Sequence, residues 1–338
     1  MSHRISFRGL LATGAALGGL MVAGPALAAE MPGDGVDVTP ATSSIAEEIF
    51  QTKILMMGLE ELGYDVNSHI ELAYPTMHLG IANGDITYSA THWDPLHKAF
   101  FEKAGGEDEI WRSNAYIENS LQGYLIDKKT ADEHDIDNVE DLKDPEIAKL
   151  FDADGDGKAD LTGCNPGWGC ERVIEHHLDE YGLRDTVEHN QGSYFALMAD
   201  TITRFENGEP ILYYTWTPLW VSGVLTPGEN VEWLEVPYTS LPDEQNPETE
   251  TAEGLNLGFA VNTQRIMATR DWIEENPAAA AFFDAADLPV NDVSAQNLLM
   301  REGEDSMKDI ERHAATWIEE NRKEFDSWLK AARDAAAQ

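Results

Sequence analysis

The chain has 338 residues, with 62 Asp and Glu against 23 Lys and Arg, which gives a formal charge of −39 and a pI of about 4.3. So acidic a surface repels polyanions and excludes nucleic acid as a partner. A hydrophobic content of 42%, with nine Trp and ten Tyr, excludes global disorder, and the length calls for one large or two ordinary lobes.

Arg4 and Arg8 precede an uncharged stretch over 9–29 that closes on Pro25 and the small-x-small triplet Ala26-Leu27-Ala28. This pattern predicts a cleavable secretory signal peptide over 1–28; its five glycines weaken the alternative of a membrane anchor. The leader contains no Cys, so the expected product is a soluble periplasmic protein without a lipid anchor. Cleavage removes two positive charges and no negative ones, leaving 21 against 62, or −41. At roughly 1 M salt the Debye length falls to about 3 Å and most of the self-repulsion disappears. Thermal stability is therefore expected to climb with NaCl, and a melting temperature flat from dilute buffer to molar salt contradicts this.

Past a polar leader segment, Ser44-x-x-Glu47 has the form of a capping box and predicts a helix that runs to about Leu62 and stops at Gly63. A strand is expected over 86–93, followed by a helix opened by Asp94-Pro95. Gln122-Gly-Tyr-Leu-Ile126 reads as a further strand, and the acid-dense stretch after it suggests a lobe boundary. A helix over 171–181, a strand over 210–216, an exposed Pro/Glu/Thr-rich loop over 241–253 and a returning strand over 255–261 follow. The C-terminal part, with Trp272, Phe282, Phe283, Ile310, Trp317, Phe325 and Trp328 among charges, predicts helices with aromatic core faces. Alternating helices and strands define an α/β chain.

No phosphate loop, His-Glu-x-x-His, Gly-x-Ser-x-Gly or dinucleotide fingerprint occurs, so the usual sequence support for an enzyme is missing. His176 and His177 are adjacent on a helix, where side chains point about 100° apart, and are expected to be ordinary surface or core residues. Cys164 and Cys170, the only cysteines, suggest a disulfide in an exported chain; a reactive Cys–His pair is the enzymatic alternative and predicts a free thiol. A disulfide would hold Trp168 in one orientation, and the amides of Gly169 and Cys170 would then open the following helix and face an anion.

Asp152, Asp154, Asp156 and Asp160 occupy positions 1, 3, 5 and 9 of a calcium loop, with Gly157 at the turn and Lys158 at position 7, where a backbone carbonyl serves. Position 12 is Gly163 and not Glu, so a structural Ca²⁺ competes with a solvated acidic turn. A calcium-dependent adhesion protein would rest on this loop alone. Trp93, Trp168 and Trp216 stand at strand ends or in a tight loop. Each is compatible with a core position, but together they would make a cage for a quaternary ammonium, which has no N–H to donate and is attracted to aromatic faces. His97, one turn past Trp93, would reach the ligand's carboxylate.

Four stretches carry a resemblance: Trp93-Asp-Pro-Leu-His97, Gly123-Tyr-Leu-Ile-Asp-Lys-Lys-Thr-Ala131, the run from Leu150 to Cys170, and Tyr213-Tyr-Thr-Trp-Thr-Pro218. With them the chain resembles the glycine betaine/proline betaine substrate-binding proteins of osmoprotectant ABC transporters. The resemblance implies a two-lobe type II periplasmic binding fold, with a cleft between lobes joined by crossing strands: lobe I over 29–122 and 254–338, lobe II over 123–253. It implies an aromatic box of Trp93, Trp168 and Trp216, a carboxylate clamp of His97, Gly169 and Cys170, and a Cys164–Cys170 disulfide. It implies no catalysis and no required cofactor. The expected partners are a small zwitterion and an inner-membrane permease with its ATPase, with the binding protein itself a monomer. A choline binder on the same scaffold is the runner-up.

Overall fold

The computed structural model describes residues 31–242 and 248–338; the expected leader and the middle of the 241–253 loop lie outside the described residues. Two five-stranded mixed sheets organise the chain. The strands are β1 (Asp37–Val38), β2 (Pro40–Thr42), β3 (Asp65–Val66), β4 (Ile70–Glu71), β5 (Tyr88–Asp94), β6 (Ile110–Ser120), β7 (Gln122–Asp127), β8 (Ala159–Thr162), β9 (Val187–Asn190), β10 (Leu212–Trp216), β11 (Val231–Leu234) and β12 (Asn262–Thr269). The first sheet has the order β4-β2-β5-β12-β6 and the second β11-β7-β10-β8-β9, while β1 and β3 form a separate parallel pair. Strands β7 and β10 are buried along their whole length, as expected of central strands covered on both faces.

The sheets belong to different lobes, and the chain passes between them with one residue, Leu121, separating β6 from β7. It returns into β12, which pairs antiparallel with both β5 and β6. The C-terminal helices then back the first sheet. Phe282, Phe283, Phe325 and Trp328 are all buried, and Trp328 lies 5.5 Å from Phe325 and 6.3 Å from Phe282 between ring centroids. The aromatic faces are core, as their spacing suggests. Gly58 is required in this layer because a Cβ there would stand 2.1 Å from the Phe282 ring. No helix among the described residues is long and apolar enough to cross a membrane.

Three local expectations fail where tertiary contacts outcompete local ones. Ser44 does not cap a helix: a 3-10 turn, Ala46–Glu48, precedes the helix Ile49–Glu61, and neither has a side-chain cap. Its would-be partner Glu47 instead accepts a hydrogen bond from the Trp220 indole of the other lobe at 3.0 Å. Asp94-Pro95 forms a turn, and the helix starts only at Lys98, because the Asp94 carboxylate is taken by Arg265 at 2.8 Å and Arg112 at 3.3 Å. The 255–261 segment is not a strand; it packs irregularly on the second lobe, with Leu257 and Phe259 buried, and regular pairing begins at Asn262. The described end of the predicted exposed loop is also tied down, since Thr249 is buried and donates to Asn256 at 2.8 Å.

Candidate ligand site between the lobes

The sequence places an indole at the end of one central strand in each lobe, Trp93 on β5 and Trp216 on β10. Trp168 stands immediately before the helix Gly169–Glu180. The fold brings all three to one cavity at the lobe junction, also lined by His97, Gly169 and Cys170. Trp168 meets Trp216 edge to face, with centroids 5.7 Å apart and planes at 82°. Tyr194 braces both, at 6.1 Å from Trp168 and 4.8 Å from Trp216. Trp93 belongs to the opposite lobe, so the cage is complete only while the lobes are together.

Cys164 and Cys170 are bonded, S–S 2.06 Å, and no free cysteine remains. The enzymatic Cys–His alternative is thereby removed. A loop of six positions contributes on the order of 2–3 kcal/mol in the chain-entropy model; its greater consequence is to fix Trp168 at the start of the helix. No side chain caps that helix. The amides of Gly169 and Cys170 are therefore among the first-turn donors without an intrahelical partner, at the positive end of a twelve-residue dipole.

His97 faces the same cavity from the first lobe. Its Nδ1 accepts from the Trp93 amide at 3.3 Å, which leaves the proton of the neutral ring on Nε2. Burial holds its pKa well below the ordinary imidazole value, and the neighbouring His78 pushes in the same direction. His97 is thus a neutral donor. The Tyr74 ring packs against it at 4.2 Å, and the turn that carries it is anchored by Asn262, whose Oδ1 accepts from the Leu96 amide at 3.0 Å.

Five lining residues were not expected from the sequence: Ile45, Tyr74, Leu96, Gln122 and Tyr214. Gln122 accepts from the Tyr214 hydroxyl through Oε1, while its buried Nε2 has no partner among the described residues. No lining residue carries a permanent charge. The cavity offers instead aromatic faces, uncapped amides and neutral donors, a combination matched to a zwitterion with one quaternary and one carboxylate end.

Two clusters of possible metal ligands occur among the described residues, one of which shares His97 with the cavity. His78, His92 and His97 bring one nitrogen each within 4.8 Å of one another, but His78 Nε2 is bonded to His92 Nδ1 at 3.1 Å, and His78 is pushed down to about 4 by burial. His78 and His92 are a neutral hydrogen-bonded pair packed against the His97 ring. Asp152, Asp154 and Asp156 also converge within 4.8 Å. Asp160 points elsewhere, accepting from the Ala153 amide at 2.6 Å and Asn190 at 2.8 Å, and the Lys158 ammonium donates to the Arg184 carbonyl at 2.9 Å. His176 and His177 share no ligand position; each bonds a different atom of Ser240, and His177 is fully buried.

Two α/β lobes, crossed by two chain passages and enclosing an uncharged aromatic cavity, have the form of a solute-binding protein. Residues 36–320 match the substrate binding domain of ABC-type glycine betaine transport systems, and the chain belongs to that family. It is 52% identical over 308 residues to the glycine betaine-binding periplasmic protein OusX of Dickeya dadantii, covering 91% of this chain and 93% of that protein. It is 48% identical over 332 residues to the glycine betaine/proline betaine-binding periplasmic protein of Escherichia coli, covering 98% of each. Its fold is that of lactococcal OpuAC in a closed form complexed with glycine betaine, with a TM-score of 0.66 at 19% identity, over 87% of this chain and 99% of that one.

Proposed function

We propose that this protein captures glycine betaine or proline betaine outside the inner membrane and delivers it to an ABC permease and its ATPase, as a monomer exported by its cleavable leader. The observation that carries this reading is the pairing of three indoles from two lobes with an uncapped helix start in one cavity free of fixed charge. Trp93, Trp168 and Trp216 would hold the methylated cation, at about 0.5–2 kcal/mol per face. The Gly169 and Cys170 amides and the His97 Nε2–H would hold the carboxylate through charge-assisted hydrogen bonds. Because the ligand has no net charge, the protein's strongly negative field does little to steer it, and affinity should survive high salt.

Micromolar affinity corresponds to about 8 kcal/mol, within reach of these contacts after ordering costs. Calorimetric competition between glycine betaine and choline tests the reading. Choline lacks the carboxylate and leaves the clamp idle, so it should bind at least tenfold more weakly. Equal affinity for the two favours the choline-type alternative, and absence of betaine binding at any salt concentration defeats the reading. Binding should need no cofactor. A structural Ca²⁺ at Asp152, Asp154 and Asp156 would raise the melting temperature over that in chelator without changing betaine affinity; an unchanged melting temperature counts against the ion.

A further inference from the structure

Directly behind the cavity lies a carboxylate that the ligand would not touch. Glu48 ends the 3-10 turn Ala46–Glu48 and is 3% exposed. Its Oε1 accepts from the Trp93 indole Nε1 at 2.7 Å and from the Tyr74 hydroxyl at 2.9 Å. Its Oε2 accepts from the Ser43 hydroxyl at 2.5 Å. Two of these three donors belong to rings that line the cavity. No basic side chain is paired with it among the described residues.

A buried carboxylate without a counter-cation is costly and persists only where something compensates it. Three hydrogen bonds do part of this. The remaining element is a positive charge beyond the two rings, and the cavity is where it would sit. Donation from an indole N–H to an anion also makes the ring more electron-rich, which strengthens attraction of a cation to its face.

Resting on the betaine reading above, we propose that Glu48 is a positioning and charge-complementing residue of the cage. It locks the Trp93 and Tyr74 rings by their polar edges and supplies, one layer back, the negative charge that the bound quaternary ammonium neutralises. Two consequences separate this from a purely structural role. Binding should couple to the ionisation of Glu48, and removing the charge while keeping the shape should weaken cationic ligands selectively.

The groups facing Glu48 allow the coupling to be read. Glu47 neighbours it on the same turn, Tyr74 donates to it from the helix Tyr74–Ala82, Tyr116 lies near it on β6, and His97 packs against the Tyr74 ring from the turn after β5. Tyr74 and Tyr116 are pushed well above the ordinary phenol range and His97 well below the ordinary imidazole range, all mainly by burial. None of these three changes charge near neutrality. Glu48 is raised by burial to about 7, against which its three hydrogen bonds act; Glu47 is raised too, again by burial. In the ligand-free protein the raised value means that stability from Glu48 is present below about 4.5 and is lost as pH rises through about 7. A bound cation favours the ionised form, so ligand affinity has the opposite slope and grows as pH rises through the same window.

The experiment is calorimetry of glycine betaine with the wild-type chain, Glu48→Gln and Glu47→Gln from pH 5.5 to 8, in two buffers of different ionisation enthalpy so that released protons are counted. Gln can still accept from Trp93 and Tyr74, so the substitution removes charge with little change of shape. The proposal expects the wild-type Kd to rise about tenfold from pH 8 to 5.5, with proton release on binding near pH 7. Glu48→Gln should bind about tenfold more weakly at pH 8 with a flat profile, and Glu47→Gln should keep a sloped profile displaced toward lower pH, because the Glu47 charge raises Glu48. The carbon isostere 3,3-dimethylbutyrate, a net anion with no cationic group, should not be weakened by Glu48→Gln. A flat wild-type profile without proton release overturns the proposal even if Glu48→Gln fails to fold. So does equal weakening of betaine and isostere. If betaine binds the wild type at no pH, the functional reading falls and this proposal with it, whereas normal betaine binding that ignores Glu48 removes only the proposal.

Discussion

Trp168→Ala is expected to weaken glycine betaine binding at least tenfold while leaving the protein folded with a nearly unchanged melting temperature. Trp168 is only partly buried, and it precedes its helix through backbone geometry, with no side-chain cap to lose. Its ring completes the edge-to-face corner with Trp216, so truncation removes one cation-binding face and opens the cage to water. One face at about 0.5–2 kcal/mol, plus the apolar contact that goes with it, exceeds the roughly 1.4 kcal/mol of a tenfold change. Trp328→Ala is the contrasting case. That ring is buried among Phe282, Phe325 and Trp317, so its loss should cost on the order of 3–5 kcal/mol of stability with the affinity of the surviving folded protein unchanged. An affinity loss of equal size in both variants would mean that Trp168 acts through folding alone.

Gly169→Ala is expected to reduce affinity by a factor of ten or more, for a reason outside its own lobe. Alanine is favoured over glycine in a helix by about 1 kcal/mol, and no positive φ is involved at this position, so the second lobe by itself should tolerate it. The obstacle is Leu96 of the first lobe: a Cβ at position 169 would lie 2.7 Å from its Cγ and 3.1 Å from its Cδ1. The lobes would have to separate where the Gly169 and Cys170 amides meet the ligand. The double variant Leu96→Ala, Gly169→Ala should recover most of the loss. Titrations of both variants check this, and an unaltered Kd for Gly169→Ala would show that the lobes are not so closely apposed in the complex.

The parts of the site legible in the sequence were those fixed by short-range chemistry. Trp93 and Trp216 stand at the ends of short strands, and Cys164 and Cys170 bracket Trp168 just before an amphipathic helix. Residues contributed by distant packing left no such trace. Tyr74 and Glu48 come to the site only because the starts of two helices, Tyr74–Ala82 and Ile49–Glu61, lie against the end of β5, and Gln122 only because β7 pairs with β10. The segment 44–48 is the instructive case. Its Ser and Glu spacing is that of a capping box, yet Glu47 reaches across to Trp220 and Glu48 turns inward to Trp93. The carboxylates serve the lobe junction rather than the helix start, and only tertiary structure distinguishes the two uses.

The family to which the chain belongs and the lobe architecture make a ligand between the lobes the central claim, and crystals grown with glycine betaine test it most directly. In such crystals the trimethylammonium group should be enclosed by Trp93, Trp168 and Trp216, with the carboxylate on the Gly169 and Cys170 amides and within hydrogen-bond reach of His97 Nε2. Density for betaine elsewhere, or a reversed ligand with its carboxylate against the indoles, would contradict it.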